Sequence, residues 1–273
     1  MLTLEEKNKQ LTTVLQSMKR VIVAFSGGVD STLVLHKAIE VLGSDNVIGV
    51  IVKSELFRHE EFTQATELAQ QLGVHVIETE IEELQDANIV NNTPQSWYYS
   101  KRLLYAQLDD LKHKYHCAYV LDGMIMDDLD DYRPGLQARD DFSVRSVLQE
   151  VELYKYEVRT LSKQADLPVW NKPALCSLAS RIPYGETLTM DKITKVNEAE
   201  KIILNLNINH VRVRYHNNIA RIEVADADIA TLVQHRQAIS LQLKELGFDY
   251  VTIDMDGYRV GSMNEVLNSS ASH

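Results

Sequence analysis

Four short apolar runs, separated by segments with helical periodicity, constrain the fold of this chain more than any other feature of its sequence. The runs cover residues 21–25, 47–52, 75–77 and 118–121. Between the first two, from Leu33 to Leu42, apolar residues recur three and four positions apart, as on one face of a helix. Continuous apolar strands that alternate with helices are typical of a parallel sheet covered on both faces. We therefore predict an α/β fold with a doubly wound parallel sheet.

The pattern changes after an irregular stretch that contains Pro168, Pro173, Cys176 and Pro183. Beyond it we predict a helix over residues 190–206, strands over 210–215 and 220–224, a helix over 226–246 ended by Gly247, and a strand over 250–253. A chain of 273 residues is long enough for two modest domains. We predict a first domain over residues 1–167, a loop over 168–189 and a smaller α+β domain over 190–273.

Composition and charge exclude several classes of protein. A net charge of -11 would repel a polyanion, so we expect a small-molecule partner and no nucleic acid. No stretch approaches the roughly 18 apolar residues of a membrane span, and the first twenty residues resemble an amphipathic helix more than a signal peptide. We expect no membrane association and a cytoplasmic location. Two cysteines are too few for a disulfide framework or a zinc or iron–sulfur site.

The segment that follows the first apolar run suits an anion. Its sequence is Ser26-Gly27-Gly28-Val29-Asp30-Ser31. Glycines let the backbone approach a phosphate, the following helix N-terminus favours negative charge, and hydroxyls add donors. The loop lacks the lysine of a Walker A motif, which favours pyrophosphate release over transfer of the terminal phosphoryl group. The alternative is a glycine turn that only caps a helix. The residues expected to contact the nucleotide here are Ala24, Phe25, Ser26, Gly27, Gly28, Asp30 and Ser31.

Other polar residues follow the later strands, at the edge of the sheet where ligands bind in such folds. Asp122 and Gly123 follow the fourth strand, and we expect both to contact the nucleotide, since glycine permits close backbone approach. We also expect Asp122 to help Asp30 hold Mg²⁺. The acidic run Asp127, Asp128, Asp130 and Asp131 could coordinate a cation, although such runs are more often solvated.

The strand-loop sequence Ser-Gly-Gly-x-Asp-Ser resembles the fingerprint of the ATP pyrophosphatase (PP-loop) superfamily, which has an adenine nucleotide alpha hydrolase-like fold and adenylates carbonyl or carboxyl oxygens. Three further segments and the cysteine loop resemble a narrower family, the ATP-dependent sacrificial sulfur transferases that make the nickel-pincer nucleotide cofactor of lactate racemase. These segments are Asn92 to Tyr99, Leu121 to Met124, Asp131 to Gly135, and Cys176 to Gly185. The resemblance implies that the first domain is a PP-loop domain. It also implies that Ser54, which follows the second strand, contacts the adenine or the ribose. A plain helix cap at Ser54 is the alternative.

The resemblance implies a reaction that uses ATP and Mg²⁺. ATP adenylates a carboxylate of pyridinium-3,5-biscarboxylic acid mononucleotide, Cys176 displaces AMP to form a thioester, and the carbon–sulfur bond of the cysteine then breaks. The products are a thiocarboxylate and dehydroalanine at position 176. Some relatives use three cysteines and an iron–sulfur cluster, which this sequence lacks the cysteines to build. The resemblance also implies a homo-oligomer and the other enzymes of the cofactor pathway as partners.

The residues around Cys176 favour a reactive thiol. Lys172 and Arg181 are close in sequence, and positive charge makes the thiolate more available. The alternative is an inert small apolar side chain, which we expect of Cys117. Cys176 is therefore a candidate catalytic residue. Asp30 of the phosphate loop is the other.

Arginines in the second domain suit the phosphate of a mononucleotide. Arg212 and Arg214 alternate with valines, so strand periodicity turns both to one face. Surface salt bridges to Glu223 or other acids are the alternative. Further candidate substrate contacts are Arg181, Ser180 and Trp97. Glu200 and Glu223 are candidates for an inter-subunit cation site.

Two other classes of function remain open on sequence alone. An amidating synthetase or a tRNA thiolase of the same superfamily would share the phosphate loop, but the former needs a source of ammonia and the latter more cysteines and a basic surface. A non-catalytic ATP sensor would also fit the loop. It would leave the segment around Cys176 without a role.

Overall fold

The computed structural model describes residues 2–129, 134–174, 176–208, 210–259 and 261–264. In chain order the helices are α1 (Leu4–Gln16), α2 (Val29–Leu42), α3 (His59–Gln71), α4 (Ala87–Val90), α5 (Ser96–Lys114), α6 (Gly135–Asp141), α7 (Val147–Glu150), α8 (Lys155–Gln164), α9 (Met190–Leu204), α10 (Ile229–Gln234) and α11 (Arg236–Glu245). The strands are β1 (Val21–Ala24), β2 (Val47–Lys53), β3 (His75–Glu80), β4 (Tyr119–Leu121), β5 (Val211–His216), β6 (Ile219–Val224) and β7 (Tyr250–Ile253). Short 3-10 helices span Ser44–Asn46, Glu83–Gln85, Met126–Leu129, Leu178–Arg181, Asp226–Asp228 and Ser262–Asn264.

The chain divides into two compact units. The first contains residues 1–83 and 97–175, and the second contains residues 84–96 and 176–273. The segment 84–96 therefore groups with the C-terminal part of the chain, which no sequence pattern indicated. Grouping by contacts does not show which segments fold independently, so the predicted domain limits stay a prediction. Within the described residues, no helix is long and apolar enough to cross a membrane.

The first unit contains a four-stranded parallel sheet in the order β3-β2-β1-β4. Val21 and Val23 of β1 pack on one face into a core that includes residues of α1, α2, α3 and α8. Ile22 lies on the other face with Tyr105 and Leu108 of α5. Successive strand residues point to opposite faces, so a strand that is apolar throughout needs helices on both. The predicted doubly wound α/β sheet is confirmed.

The second unit is a small α+β fold with a three-stranded sheet in the order β5-β6-β7. Strands β5 and β6 are antiparallel and are joined at Asn217 and Asn218, whose φ angles of 46° and 65° suit a tight hairpin turn. Strand β7 is parallel to β6, helix α9 packs against β5, and α11 packs against α9 and β7. The smaller C-terminal sheet predicted from the sequence is present.

Two details of the prediction are wrong. The helix expected over residues 226–246 is broken into a 3-10 turn, α10 and α11, because His235 has a ψ angle of 8° that interrupts the regular helix. Leu232, Ile239 and Leu243 are all buried at helical spacing, so the apolar pattern could not indicate this break. The stretch from 121 to 150 is rich in Asp and Gly and poor in apolar periodicity, which predicts irregular structure, but it contains the short helices α6 and α7.

Candidate active site

The predicted phosphate loop connects the carboxyl end of β1 to the N-terminus of α2. Helix α2 begins at Val29, and Gly28 is its N-cap residue. Gly27 has a φ angle of 68°, and a Cβ placed there would lie 2.9 Å from the Cβ of Ala65 in α3. Only glycine combines this backbone conformation with so close an approach. The loop is therefore pressed against α3 and leads into the N-terminus of a helix, as an anion site requires.

Hydroxyl groups stabilise the loop from within. The Oγ atoms of Ser26 and Ser31 lie 3.1 Å apart, and the Ser31 hydroxyl donates to the Gly28 carbonyl at 3.3 Å. Thr32 also donates to that carbonyl, at 2.7 Å. Ser26 is exposed, whereas Phe25 is buried and its N–H donates to the Val50 carbonyl. The structure thus brings together the run from Ala24 to Ser31 that we expected to contact a nucleotide.

Gly123 allows the segment after β4 to lie directly against the phosphate loop. A Cβ at this position would be 2.9 Å from the backbone N of Ser31 and 3.2 Å from the carbonyl carbon of Asp30. Both neighbours are backbone atoms, which cannot move aside as a flexible side chain can. Gly123 therefore supports the loop through its small size.

We expect Gly123→Ala to displace the phosphate loop, with at least a tenfold loss of ATP affinity and a destabilisation of about 1–3 kcal/mol from overpacking. Isothermal titration with ATP and thermal unfolding measure the two effects. The matched control is Gly49→Ala in β2, where a Cβ meets only side-chain atoms at 3.6 Å or more. Equal behaviour of the two variants would contradict the packing role of Gly123.

Asp30 forms an ion pair with a residue that the sequence did not point to. Its Oδ2 accepts a hydrogen bond from Lys155 Nζ at 2.5 Å, whereas its buried Oδ1 has no hydrogen-bond partner among the described residues. Burial raises the pKa of Asp30, and the nearby Lys155 ammonium opposes that shift. The two residues are 125 positions apart, and no sequence motif links them. The arrangement leaves one carboxylate oxygen able to accept a further ligand.

Asp122 connects the end of β4 to two helices. The side chain is buried, its Oδ2 accepts from the Tyr105 hydroxyl at 2.7 Å, and its Oδ1 accepts from the Ser146 hydroxyl at 2.7 Å and from the Met124 N–H at 3.2 Å. These hydrogen bonds join the end of β4 to α5 and to the start of α7. The predicted role of Asp122 in holding Mg²⁺ with Asp30 stays a prediction.

Ser54 is also a structural residue. Its buried hydroxyl donates to Glu83 and accepts from the Leu56 N–H at 3.1 Å. Burial raises the pKa of Glu83, while the Ser100 and Ser54 hydroxyls oppose that shift. These hydrogen bonds fix the Ser54 side chain, and its predicted contact with the nucleotide stays a prediction. Ser54 does not cap a helix, because α3 begins only at His59.

Lys172 extends from the end of the first unit to the phosphate loop. Its Nζ lies 3.3 Å from the Gly27 carbonyl oxygen and 3.2 Å from Oε1 of Gln64 in α3. Burial lowers the pKa of Lys172. We expected this lysine to favour the thiolate of Cys176, but its ammonium is directed to the loop that precedes α2.

Cys176 lies in the second unit and is exposed, whereas Cys117 is buried in the core of the first, as predicted for a structural cysteine. Burial raises the pKa of the Cys117 thiol. The guanidinium of Arg181 donates to the carbonyl oxygens of Ser177 at 3.1 Å and Cys176 at 3.5 Å. It also donates to the Ser180 hydroxyl at 2.7 Å. Arg181 therefore holds the backbone around the cysteine.

Buried carboxylates pair with two of the arginines predicted to bind the substrate phosphate. Arg181 binds Glu200 of α9 through two hydrogen bonds of 2.8 and 3.2 Å, and Arg214 binds Glu223 through two of 2.9 and 2.8 Å. Arg214 also donates to the carbonyl oxygen of Ser180 at 2.7 Å. Both arginines thus support the turn after Cys176.

Arg181 and Arg214 each pair with an internal carboxylate, and Glu200 and Glu223 are fully buried. The predicted roles of the two arginines at the substrate phosphate, and of the two glutamates in a cation site between subunits, stay predictions. The pairing of Arg214 with Glu223 is the alternative considered above, although it is buried and not at the surface. Arg212 is half-buried with its guanidinium 5.3 Å from the centre of the Tyr258 ring. Arg212 and the half-buried Trp97 at the start of α5 stay candidates for substrate contacts.

The acidic residues near α8 do not form a metal centre in the described part of the chain. Asp127 accepts from the Lys155 N–H, and Asp128 accepts from the Ile125 N–H, both at 2.8 Å. Asp130 and Asp131 lie outside the described residues. Among those that the structure describes, no group of three or more His, Cys, Asp or Glu side chains is arranged to hold a metal ion.

Comparison with known proteins gives matches that agree with the expected superfamily. A family model described as NAD synthase matches residues 4–103, the part that contains the phosphate loop. An NH3-dependent NAD+ synthetase of Methanococcus aeolicus is 37% identical over 76 residues, or 26% of this chain and 30% of its own length. An uncharacterized protein of Synechocystis is 39% identical over 97% of this chain and 99% of its own length. The resemblance to the PP-loop superfamily, whose members use ATP, is confirmed.

The strongest of these similarities extends through both units. The pyridinium-3,5-bisthiocarboxylic acid mononucleotide synthase of Lactiplantibacillus plantarum is 49% identical over 270 residues, which are 99% of this chain and 98% of that protein. Such a match includes the phosphate loop, the segment around Cys176 and the C-terminal sheet. The chain therefore belongs to the family of pyridinium-3,5-bisthiocarboxylic acid mononucleotide synthases.

Proposed function

We propose that this enzyme adenylates a carboxylate of pyridinium-3,5-biscarboxylic acid mononucleotide with ATP and then transfers to it the sulfur atom of Cys176. The observation that carries the proposal is the exposed cysteine, whose own carbonyl and that of the next residue accept hydrogen bonds from the buried Arg181. A structural cysteine is normally buried, as Cys117 is. An exposed thiol on a backbone fixed by a buried ion pair is suited to nucleophilic attack.

The proposed reaction has three steps. The substrate carboxylate attacks the α-phosphorus of ATP and pyrophosphate leaves, which is the outcome favoured by a glycine loop without a Walker lysine. The Cys176 thiolate attacks the carbonyl carbon of the adenylate, and AMP leaves with the electron pair of the broken C–O bond. A base then removes the Cα proton of residue 176, the Cβ–S bond breaks toward sulfur, and a thiocarboxylate and dehydroalanine result.

We also propose that Mg²⁺ accompanies ATP at Asp30. Mg²⁺ at nucleotide sites is often bound by one or two carboxylates together with phosphate oxygens and water, so a full cage of protein ligands is not needed. The buried Oδ1 of Asp30, which has no hydrogen-bond partner among the described residues, fits such a ligand. When bound, the ion would neutralise negative charge on the phosphates.

Further parts of the proposal concern the setting of the enzyme. A homo-oligomer and contacts with other enzymes of nickel-pincer cofactor synthesis stay predictions, to be tested by light scattering and by co-purification. We propose a cytoplasmic location, because an exposed reactive thiol is best preserved in a reducing compartment.

The test of adenylation is exchange of labelled pyrophosphate into ATP in the presence of the dicarboxylate mononucleotide. We expect exchange that depends on this substrate and on Mg²⁺, and that persists in Cys176→Ala because the thiol acts only after adenylate formation. If ATP binds but no exchange occurs with any carboxylate, the chain is a nucleotide sensor. If exchange is followed by ammonia-dependent amide formation, it is an amidating synthetase.

Loss of Lys155 should shift the pH dependence of adenylation. Burial raises the pKa of Asp30 and the Lys155 ammonium holds it down, so Lys155→Met should raise that pKa further. Asp30 would then be protonated at a higher pH, and the exchange rate would fall earlier as the pH is lowered. The check is the pH–rate profile of pyrophosphate exchange between pH 5 and 8 for wild type, Lys155→Met and Lys155→Arg. An unchanged acid limb in Lys155→Met would show that Asp30 ionisation does not control this step.

A further inference from the structure

We propose that Lys172 is the cation that binds the phosphate oxyanions of ATP, or of the pyrophosphate released from it, at the loop formed by residues 26–28. The inference deepens the proposed function and rests on it, since it takes this loop to be the nucleotide site. It assigns to a residue near Cys176 in sequence a role in the adenylation step and not in activation of the thiol.

The hydrogen bonds of the Lys172 ammonium are with neutral oxygen atoms. Its Nζ is 3.3 Å from the Gly27 carbonyl oxygen and 3.2 Å from Gln64 Oε1, and the Glu61 carboxylate of α3 acts on it electrostatically. An ammonium group has three donors, of which these two contacts use two. One N–H remains, on a cation that touches the backbone of the loop itself.

The half-buried Lys172 ammonium differs from two other lysines of the same unit, because its hydrogen bonds are to neutral oxygens. Lys7 and Lys155 both form close ion pairs with acidic side chains. Burial disfavours the charged form of a lysine and lowers the pKa of Lys172, and the Glu61 carboxylate opposes that shift. A phosphate oxyanion in the loop would add negative charge beside the ammonium and strengthen the preference for its charged form.

The backbone of Lys172 is held in place by a second residue. The guanidinium of Arg159 in α8 donates to the carbonyl oxygens of Trp170 at 2.9 Å and Lys172 at 3.0 Å. The Lys172 N–H donates to the Val169 carbonyl at 2.9 Å. The backbone of Lys172 is therefore fixed, and its ammonium is positioned by the Gly27 and Gln64 oxygens; a preorganised cation binds an anion at a smaller entropic cost.

The experiment is calorimetric titration of the full-length enzyme with inorganic pyrophosphate and, separately, with ATP and AMP, in the presence of Mg²⁺. Lys172→Met removes the charge and Lys172→Gln keeps a hydrogen-bond donor, while Lys172→Arg keeps the charge. The matched control is Lys163→Met, because Lys163 is exposed and lies over the Trp170 ring, 4.8 Å from its centre, in contact with the same segment.

We expect Lys172→Met and Lys172→Gln to bind pyrophosphate and ATP roughly 10- to 100-fold more weakly, the usual effect of losing a charge-assisted hydrogen bond. Lys172→Arg should retain most of the affinity and Lys163→Met all of it. Thermal unfolding shows whether each variant is folded; if Lys172→Met is not, Lys172→Gln and Lys172→Arg carry the comparison.

Three results would overturn the assignment: unchanged affinity in a folded neutral variant, an equal loss in Lys163→Met, or no binding of pyrophosphate and ATP by the wild type. The first two leave the proposed adenylation untouched. Conversely, pyrophosphate binding that depends on Lys172, without any pyrophosphate exchange into ATP, would support the anion site and reject the proposed reaction.

Discussion

Wild-type enzyme incubated with ATP, Mg²⁺ and the dicarboxylate mononucleotide should lose about 34 Da, the mass of hydrogen sulfide, at residue 176 and nowhere else. Intact-protein mass spectrometry followed by peptide mapping measures this loss. Cys176→Ala should form no thiocarboxylate at all, a complete loss of sulfur transfer, because the thiol is itself the sulfur source. The same variant should continue to exchange pyrophosphate into ATP.

The second cysteine provides the control for this result. Cys117 is buried beside β4 in the apolar core of the first unit, and burial raises the pKa of its thiol. Cys117→Ala should therefore transfer sulfur at close to the wild-type level after correction for any loss of folded protein. A mass decrease at residue 117, or thiocarboxylate formed by Cys176→Ala without a mass change, would reject the sacrificial mechanism and point to an external sulfur donor.

Glu200→Ala should destabilise the second unit by about 3–5 kcal/mol, because it leaves the charge of Arg181 buried without its carboxylate. The exposed fractions of the paired side chains are 3% for Arg181 and 0% for Glu200. Glu200 also accepts from the Val213 N–H at 3.0 Å, so its loss removes a hydrogen bond to β5 as well. Urea or thermal unfolding, followed by far-ultraviolet circular dichroism, measures the change.

A neighbouring glutamate of the same helix gives a matched comparison. Glu198 pairs with Lys201 at 3.0 Å, with both side chains more than a third exposed, so Glu198→Ala should cost only about 0–0.5 kcal/mol. We also expect Glu200→Ala to slow sulfur transfer more than adenylation at temperatures where it is folded, because Arg181 would no longer be oriented toward the Cys176 and Ser177 carbonyls. Equal unfolding free energies for the two variants would contradict this account.

Much of the fold could be predicted because local patterns determine it. A strand that is apolar on both faces needs helices on both faces. The four apolar runs, which form β1, β2, β3 and β4, show this property in their own residues. The phosphate loop could be predicted for a similar reason, since Gly27 and Gly28 lie directly between a strand and a helix that are both visible in the sequence. These are features whose determinants lie within a few positions of one another.

The parts of the site that could not be predicted depend on contacts between distant residues. Nothing local distinguishes Lys155 from other lysines, yet it pairs with Asp30 across 125 positions. Strand periodicity placed Arg212 and Arg214 on one face, but it does not show that Arg214 is buried against Glu223 while Arg212 lies by Tyr258. Likewise, the position of Asp122 after β4 did not indicate its hydrogen bonds with Tyr105 and Ser146, which come from distant parts of the chain.

The exposure of Cys176 has a consequence for the fate of the protein after it has reacted. An exposed side chain contributes little packing, and substitutions at such positions usually change stability by no more than about 0.5 kcal/mol. Under the proposed mechanism, a chain that has given up its sulfur would stay folded and keep an intact phosphate loop. Spent molecules would then compete with fresh ones for ATP and substrate, and unfolding would not distinguish them from fresh ones.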